Sequence, residues 1–312
     1  MEIISGLHNL RPRHKGCVLT IGNFDGVHRG HQRLIDHLQL QSKSLQLPTM
    51  LMTFEPQPRE FFAGAMLPAR LTRFREKVHL LECTGLDRLL CLPFNEQTSQ
   101  IPAEWFAEEF LTELVGARYV VIGDDFRFGH ERQGDFQLLQ NTGARLGYEV
   151  ISVDTVLQAG DRVSSTLVRS TLSAGNFSKA AELLGHEYFI MGRVVYGRQL
   201  GRQLGVPTAN LKLQRYRAAL EGVYCVTVDG VAEDGQPLQG IANIGVRPTV
   251  DGKEPLLEVH VFDFSGDLYG RRLRVTFKHK LRDEQAFASL ELLKQQIDSD
   301  LRNARRWFAE SI

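Results

Sequence analysis

The chain has 312 residues, a length that predicts about two domains. Apolar residues make up 43% of it, enough for buried cores, and 37 basic side chains balance 37 acidic ones. No bulk charge therefore marks a nucleic-acid or membrane-surface partner, and local basic clusters must serve any phosphate binding. Cys17, Cys83, Cys91 and Cys225 form no Cys-x-x-Cys pair and sit mostly in apolar runs, the pattern of a reduced, cytoplasmic protein. The N-terminus shows no signal-peptide pattern, and no apolar run approaches the roughly 20 residues of a membrane span.

Cys17–Ile21 is an apolar run that predicts a buried strand. Gly22 and Gly26 allow a tight turn, and Leu34, Ile35, Leu38 and Leu45 then recur at helical spacing. His28 and His31 stand three apart where that helix begins, beside N–H groups that attract anions. Standing alone, the pair reads equally well as two solvated histidines on a turn. A metal pair fits less well, because zinc ligands on one helix face more often form His-x-x-x-His. Behind a strand and a Phe-Asp-Gly turn, however, His28-Arg29-Gly30-His31 resembles the His-x-Gly-His signature of nucleotidyltransferases. The chemistry then expected is attack of a substrate phosphate on the α-phosphate of ATP, with pyrophosphate leaving. Positioning and charge stabilisation dominate such a reaction.

Further strands are predicted at Thr49–Phe54, Leu89–Leu92, Tyr119–Gly123 and Tyr148–Val153, with helices at Thr72–Cys83, Pro102–Val115 and Asp135–Leu146. This alternation predicts an α/β domain with a parallel sheet, which binds ligands beyond the carboxyl ends of its strands. After the second strand, Phe54-Glu55-Pro56-Gln57-Pro58 with Phe61 and Phe62 is either a stiff loop packed on its own core or a wall for a flat aromatic ligand. After the fourth comes Gly123-Asp124-Asp125-Phe126-Arg127-Phe128-Gly129. After the fifth, Ser164, Ser165 and Thr166 are a helix cap or, with Arg162 and Arg169 flanking them, a phosphate clamp.

These four stretches resemble the FMN adenylyltransferase module of bacterial bifunctional riboflavin kinase/FAD synthetases. The resemblance implies a Rossmann-like nucleotidyltransferase domain. It implies that Gly22, Phe24, Asp25, His28, His31, Arg162, Ser165, Thr166 and Arg169 bind ATP. It further implies that Phe54, Pro56, Pro58, Phe62, Asp125 and Phe128 line the flavin.

The pattern changes near Leu184-Gly185-His186, which predicts domains 1–184 and 185–312. Strands are predicted at Tyr188–Tyr196, Gly222–Asp229, Gln239–Ile244, Leu256–Phe262 and Arg272–Phe277. Asp-Gly turns between them predict a small antiparallel β-barrel, and Glu284–Phe308 has the apolar spacing of a helix lying on it. Gly192, Gly197, Gly201 and Gly205, interleaved with arginines that include Arg202, form either a polyphosphate loop or an accidental surface repeat. Pro207-Thr208-Ala209-Asn210 follows, with a hydroxyl and an amide oxygen fit for magnesium. Glu258 and His260 alternate in a strand and so share a side, expected to be the inside of the barrel.

Pro207-Thr208-Ala209-Asn210, Asn243-Ile244-Gly245, Glu258-x-His260 and Leu281-Arg282-Asp283-Glu284 resemble the riboflavin kinase module of the same family, in family order. The resemblance implies a six-stranded flavin-binding barrel. ATP would lie on Gly192, Gly197, Gly201, Arg202, Gly205 and Pro207, with Mg2+ on Thr208 and Asn210. Glu258 would be the base, and Leu281, Arg282 and Glu284 would contact flavin. The implied function is phosphorylation of riboflavin to FMN and adenylylation of FMN to FAD. The implied partners are the small molecules riboflavin, FMN and ATP, with no nucleic acid and no membrane. The sequence leaves the oligomeric state open. A different phosphorylated acceptor and a non-catalytic flavin-binding regulator are the rival readings.

Overall fold

The structure is a computed structural model and describes residues 1–62, 67–197, 201, 205–215, 217–249 and 252–311. Its contacts group into two compact units. The first is Met1–Pro68 with Lys77–Ser164, and the second is Ala69–Glu76 with Ser165–Ile312. The grouping begins the second unit ahead of residue 185 and adds to it a short segment from the first half of the chain.

The first unit is an α/β domain. Its elements in order are β1 (Glu2–Ser5), β2 (Cys17–Ile21), α1 (Arg29–Leu45), β3 (Thr49–Glu55) and α2 (Pro58–Phe62). Then come α3 (Phe74–Glu82), whose first residues belong to the other unit, β4 (Arg88–Pro93), α4 (Glu96–Ser99) and α5 (Ala103–Trp105). A π-helical segment Phe106–Leu114, β5 (Ala117–Gly123), α6 (Phe136–Leu146), β6 (Glu149–Val153) and the hairpin β7 (Leu157–Gln158) and β8 (Asp161–Arg162) complete it. The six-stranded sheet has the order β1-β4-β3-β2-β5-β6, and its neighbours run parallel.

β2 is buried along its whole length, as an apolar strand covered on both faces must be. The chain leaves β2 toward β3 on one side and returns to β5 on the other, so the strand order reverses between β2 and β5. Ligands bind at that switch point in open parallel sheets, and the loops after β2 and β5 both start there. Two features differ from expectation. β1 has only Ile3 and Ile4 as apolar residues, too short a run to register. The helix predicted over Pro102–Val115 is π-wound from Phe106, a winding that stacks the Phe106 and Phe110 rings 4.8 Å apart over the core.

The second unit opens with α7 (Ser165–Ser173) and α8 (Phe177–Leu184), followed by β9 (Phe189–Val195), β10 (Ala209–Lys212), β11 (Gly222–Asp229), β12 (Leu238–Thr249), β13 (Gly252–Val261) and β14 (Arg272–Arg282). The strands close into a barrel in the order β10-β13-β12-β11-β14-β9. Tyr224, Ala242, Ile244, Leu257 and Val259 fill its interior, and Phe177 of α8 meets Tyr224 edge-on at 5.7 Å. The tail helix α9 (Leu290–Glu310) packs Ala304 and Phe308 on the outer face, against Val223, Cys225 and Ile241. It starts at Leu290 rather than Glu284, because the Ser289 hydroxyl accepts the amide of Leu292 and caps it there.

A buried ion pair anchors the early segment in this unit. Glu76 and Arg215 have side chains 1% and 0% exposed, and the Arg215 Nη2 reaches both carboxylate oxygens at 2.6 and 2.7 Å. Glu76 also accepts the amides of Arg73 at 2.7 Å and Met191 at 2.9 Å. Arg215 further donates to the carbonyls of Arg70 and Leu71.

Candidate active sites

In the first unit, Gly22 through His31 leave β2 and turn into α1. Phe24, Gly26 and Val27 have φ of 48°, 85° and 43°, a left-handed path costly for β-branched Val27. His28 is the N-cap of α1, and its Nδ1 accepts the His31 amide at 3.4 Å, which leaves Nε2 to carry the ring proton. The two imidazoles stack face to face with centroids 3.6 Å apart and planes 18° apart. They lie one over the other instead of converging on a common point as metal ligands do.

Gly30 explains the spacing of the motif. A Cβ there would stand 3.1 Å from His28 Cε1 and 3.2 Å from its Nδ1. The missing side chain is what lets the His28 ring lie over the first turn. The Val163 carbonyl passes the same spot, 3.7 Å from that Cβ position, which brings the Ser164 end of the unit to the helix start. The Nδ1 of His31 is buried with no hydrogen-bond partner among the described residues. Burial first, then His28 and Lys77, hold its pKa well below the ordinary histidine value, so the ring is neutral. Asp25 and Phe24 are buried beneath the turn, and the Phe24 ring lies 5.0 Å from His31.

The loop after β5 places Asp125 against Arg162, with Nη2 to Oδ2 at 2.6 Å. Asp124, which sequence reasoning did not select, stands 3.7 Å from the same guanidinium and accepts the Thr155 hydroxyl. After β3, the rings of Phe54, Phe61 and Phe62 each lie 5.6 Å from Phe94, a ring the motifs did not reveal. Phe62 is 67% exposed, whereas Phe128 is 8% exposed and packs between Phe106 and Phe126 in the core. Pro56 lies in the loop and Pro58 opens α2. Ser165 and Thr166 open α7 in the second unit, where Arg169 donates from Nε to the Ala69 carbonyl.

In the second unit, Asn210 of β10 and Asn243 of β12 both stand opposite Glu258 of β13. Opposite residues project to the same side of a sheet. That side is the outer one, since the interior is taken by fully buried Leu257 and Val259 on either side of Glu258. The expectation of a carboxylate inside the barrel is therefore corrected: strand alternation fixes that Glu258 and His260 agree, and only closure of the barrel decides which face is which. Outside, the carboxylate avoids the cost of burial in an apolar core.

Gly197 and Gly201 lie close to Asn210 and Thr208. A Cβ at Gly197 would collide with the Asn210 amide, and one at Gly201 with the Val206 carbonyl, 3.2 Å from Thr208 Oγ1. Gly192 sits 3.0 Å from Leu211 by the same measure, Gly205 takes φ of 81°, and Arg202 lies outside the described residues. The Pro207 carbonyl lies 2.8 Å from His260 Nδ1, which ties the loop to β13. Asn210 Oδ1 is buried with no hydrogen-bond partner among the described residues. Leu281 joins the apolar cluster under α9, and the Glu284 carboxylate lies against Gly245. Arg282 binds Asp300 of α9 through Nε at 2.9 Å and Nη2 at 2.8 Å, so its guanidinium pins the tail helix.

The chain matches two protein families, FAD synthetase over residues 10–167 and riboflavin kinase over residues 184–308. A bifunctional riboflavin kinase/FMN adenylyltransferase of Pseudomonas fluorescens is 51% identical over 313 residues, covering 100% of this chain and 99% of that protein. Its counterpart in Escherichia coli K12 is 48% identical over 309 residues, covering 99% and 98%. A crystal structure described as a macrolide-efflux protein from Streptococcus pneumoniae superposes with a TM-score of 0.79 at 30% identity, covering 98% of this chain and 100% of that one. Among the described residues here, no helix is long and apolar enough to cross a membrane. The chain belongs to the bifunctional riboflavin kinase/FMN adenylyltransferase family, a transferase with its adenylyltransferase in the first half and its kinase in the second.

Proposed function

We propose that the His28–His31 stack and the Asn210–Glu258–Asn243 row are the reaction centres of these two activities. The observation that carries the first is the pair of imidazoles stacked on the N-terminus of α1, with Gly30 leaving the space they need. An ATP α-phosphate laid on them would receive N–H donation as charge builds on its oxygens, the step that limits such transfers. The helix N-terminus adds its own attraction for anions. Arg162 adds a phosphate contact in this reading, with Asp125 holding it until ATP arrives. Phe54 and Phe62, together with Phe61 and Phe94, wall the flavin of FMN, and Pro56 and Pro58 stiffen that wall.

In the kinase half, Glu258 accepts the proton of the ribityl hydroxyl of riboflavin. The buried oxygen of Asn210 and the hydroxyl of Thr208 fit Mg2+, a hard cation that takes oxygen ligands. When bound there, Mg2+ neutralises charge on the ATP phosphates. Gly192, Gly197, Gly201, Gly205 and Pro207 give the surrounding phosphate loop in this reading, and Leu281 and Arg282 hold the tail helix α9 beside it. The functional division 1–184 and 185–312 is supported by the gap between the two family matches, 10–167 and 184–308. Cytoplasmic residence fits the four free cysteines, of which burial pushes Cys17 and Cys225 to about 12, far from the reactive thiolate range.

The test is one incubation of His31→Ala and of Glu258→Gln with riboflavin, ATP and magnesium, resolving riboflavin, FMN and FAD by chromatography. His31→Ala should stop at FMN, with adenylylation reduced about 100- to 1000-fold. Glu258→Gln should phosphorylate riboflavin about 100- to 10,000-fold more slowly yet still convert supplied FMN to FAD. Loss of both activities in either folded variant would overturn the assignment.

A further inference from the structure

Lys77 lies in none of the motifs, yet it is fully buried behind the nucleotide loop, at 0% exposure on α3. Its Nζ donates to the Asn23 carbonyl at 2.6 Å and to the Thr53 hydroxyl at 3.2 Å, and that hydroxyl in turn donates to the same carbonyl at 3.3 Å. Three elements meet in this triangle: α3, the end of β3, and the turn that leaves β2. Asn23 is the residue immediately before Phe24, where the chain enters its left-handed path toward His28. The Gly22 amide donates to the Met52 carbonyl at 3.1 Å, so the turn is fastened at two consecutive residues.

Removing an ammonium from water is costly, by several kcal/mol even after relaxation. A methionine would fill a buried helix position at no such cost. The charge is placed at the start of the left-handed turn and within electrostatic reach of His31.

Resting on the reading of His28 and His31 as the phosphate contacts, we propose that Lys77 is a positioning residue for adenylyl transfer. Its ammonium clamps the Asn23 carbonyl to the end of β3 and so sets the height and tilt of the imidazole stack against the phosphate. It touches no substrate in this assignment. It acts through the turn, and its positive charge opposes protonation of His31, so that ring stays a neutral donor. Since Thr53 directly precedes Phe54, the same clamp registers the nucleotide loop against the aromatic wall.

The experiment uses the full chain carrying Lys77→Met and, separately, Lys77→Gln. FMN adenylylation is measured with ATP and FMN varied, His31 is titrated by NMR, and riboflavin phosphorylation of the same sample reports folding. Lys77→Met should lower adenylylation kcat about 100-fold, the cost of a misplacement near 1 Å, with KM for ATP and FMN within a few-fold of the original. The His31 titration should move to higher pH in both variants, because both lack the charge. Lys77→Gln, which still donates to the carbonyl, should recover part of kcat. If Lys77→Met loses phosphorylation as well, Lys77→Gln is read by the same criteria. An unchanged kcat, a loss carried wholly by KM, or an unmoved His31 titration in the folded variant overturns the proposal. Failure of the site reading itself shows separately, as His31→Ala with full adenylylation.

Discussion

A single substitution in the first half of the chain should destabilise the kinase unit. Glu76→Ala leaves Arg215 buried with its countercharge gone, and breaking one side of a buried pair costs about 3–5 kcal/mol. Both side chains are at most 1% exposed, so solvent screening removes little of this. The amides of Arg73 and Met191 also lose their acceptor, at about 1 kcal/mol each. The chain has two tryptophans, one in each unit, so a Trp105→Phe background leaves Trp307 as the reporter. Trp307 stacks on His279 at 5.3 Å and responds to loss of the barrel and its tail helix. With a urea slope of about 2 kcal/mol per molar, the Trp307 midpoint should fall by about 3 M. The double variant Glu76→Met with Arg215→Met should regain the charge part of the loss, since apolar replacement of both partners is often neutral. A Trp307 midpoint that stays in place in Glu76→Ala would refute the reasoning.

Gly30→Ala crowds the His28 ring by a few tenths of an ångström and should lower FMN adenylylation, by less than the roughly 100-fold that a misplacement near 1 Å costs, while riboflavin phosphorylation persists, as rates on one preparation will show. Asn210→Ala removes the buried oxygen and should raise the magnesium concentration needed for phosphorylation, read as a titration, with adenylylation unchanged. The depressed pKa of His31 makes the first unit pH-sensitive. Above the unfolded value of about 6.5 both states are neutral. Below it the unfolded chain takes up a proton that the folded site resists, so stability falls with pH until the folded pKa is reached. Denaturation midpoints between pH 8 and 5, compared with His31→Asn, should diverge below about pH 6.5. Parallel curves would remove His31 as the cause.

The site loops were legible because their information is local. A strand, a glycine turn and a helix start lie within fifteen residues, and the same short range carries the hydroxyl and amide of Thr208 and Asn210. What failed to show depends on distant closure. Glu258 and His260 were correctly placed on one side, but the period of two cannot say which side faces a barrel interior until the barrel closes. β10 hides in a motif read as a loop, since only pairing with β9 and β13 makes Ala209–Lys212 a strand. Arg282 was expected to contact flavin, not to pin the tail helix, and Lys77 looked like an ordinary charge on a helix. Their partners, Asp300 and the Asn23 carbonyl, are 18 and 54 residues away.

The interleaving of the two units has a consequence for synthesis on the ribosome. Arg215 follows Glu76 by 139 residues. At roughly 5–20 residues per second, residues 69–76 leave the exit tunnel about ten seconds before the arginine that neutralises Glu76. Through that interval helix α3 is pulled in one direction only, by Lys77 into the nucleotide loop. The adenylyltransferase sheet can close while the helix still has its first turn in water. The last step of assembly is then the burial of the Glu76 carboxylate against Arg215, and a chain stalled before it would expose the first turn of that helix to proteases.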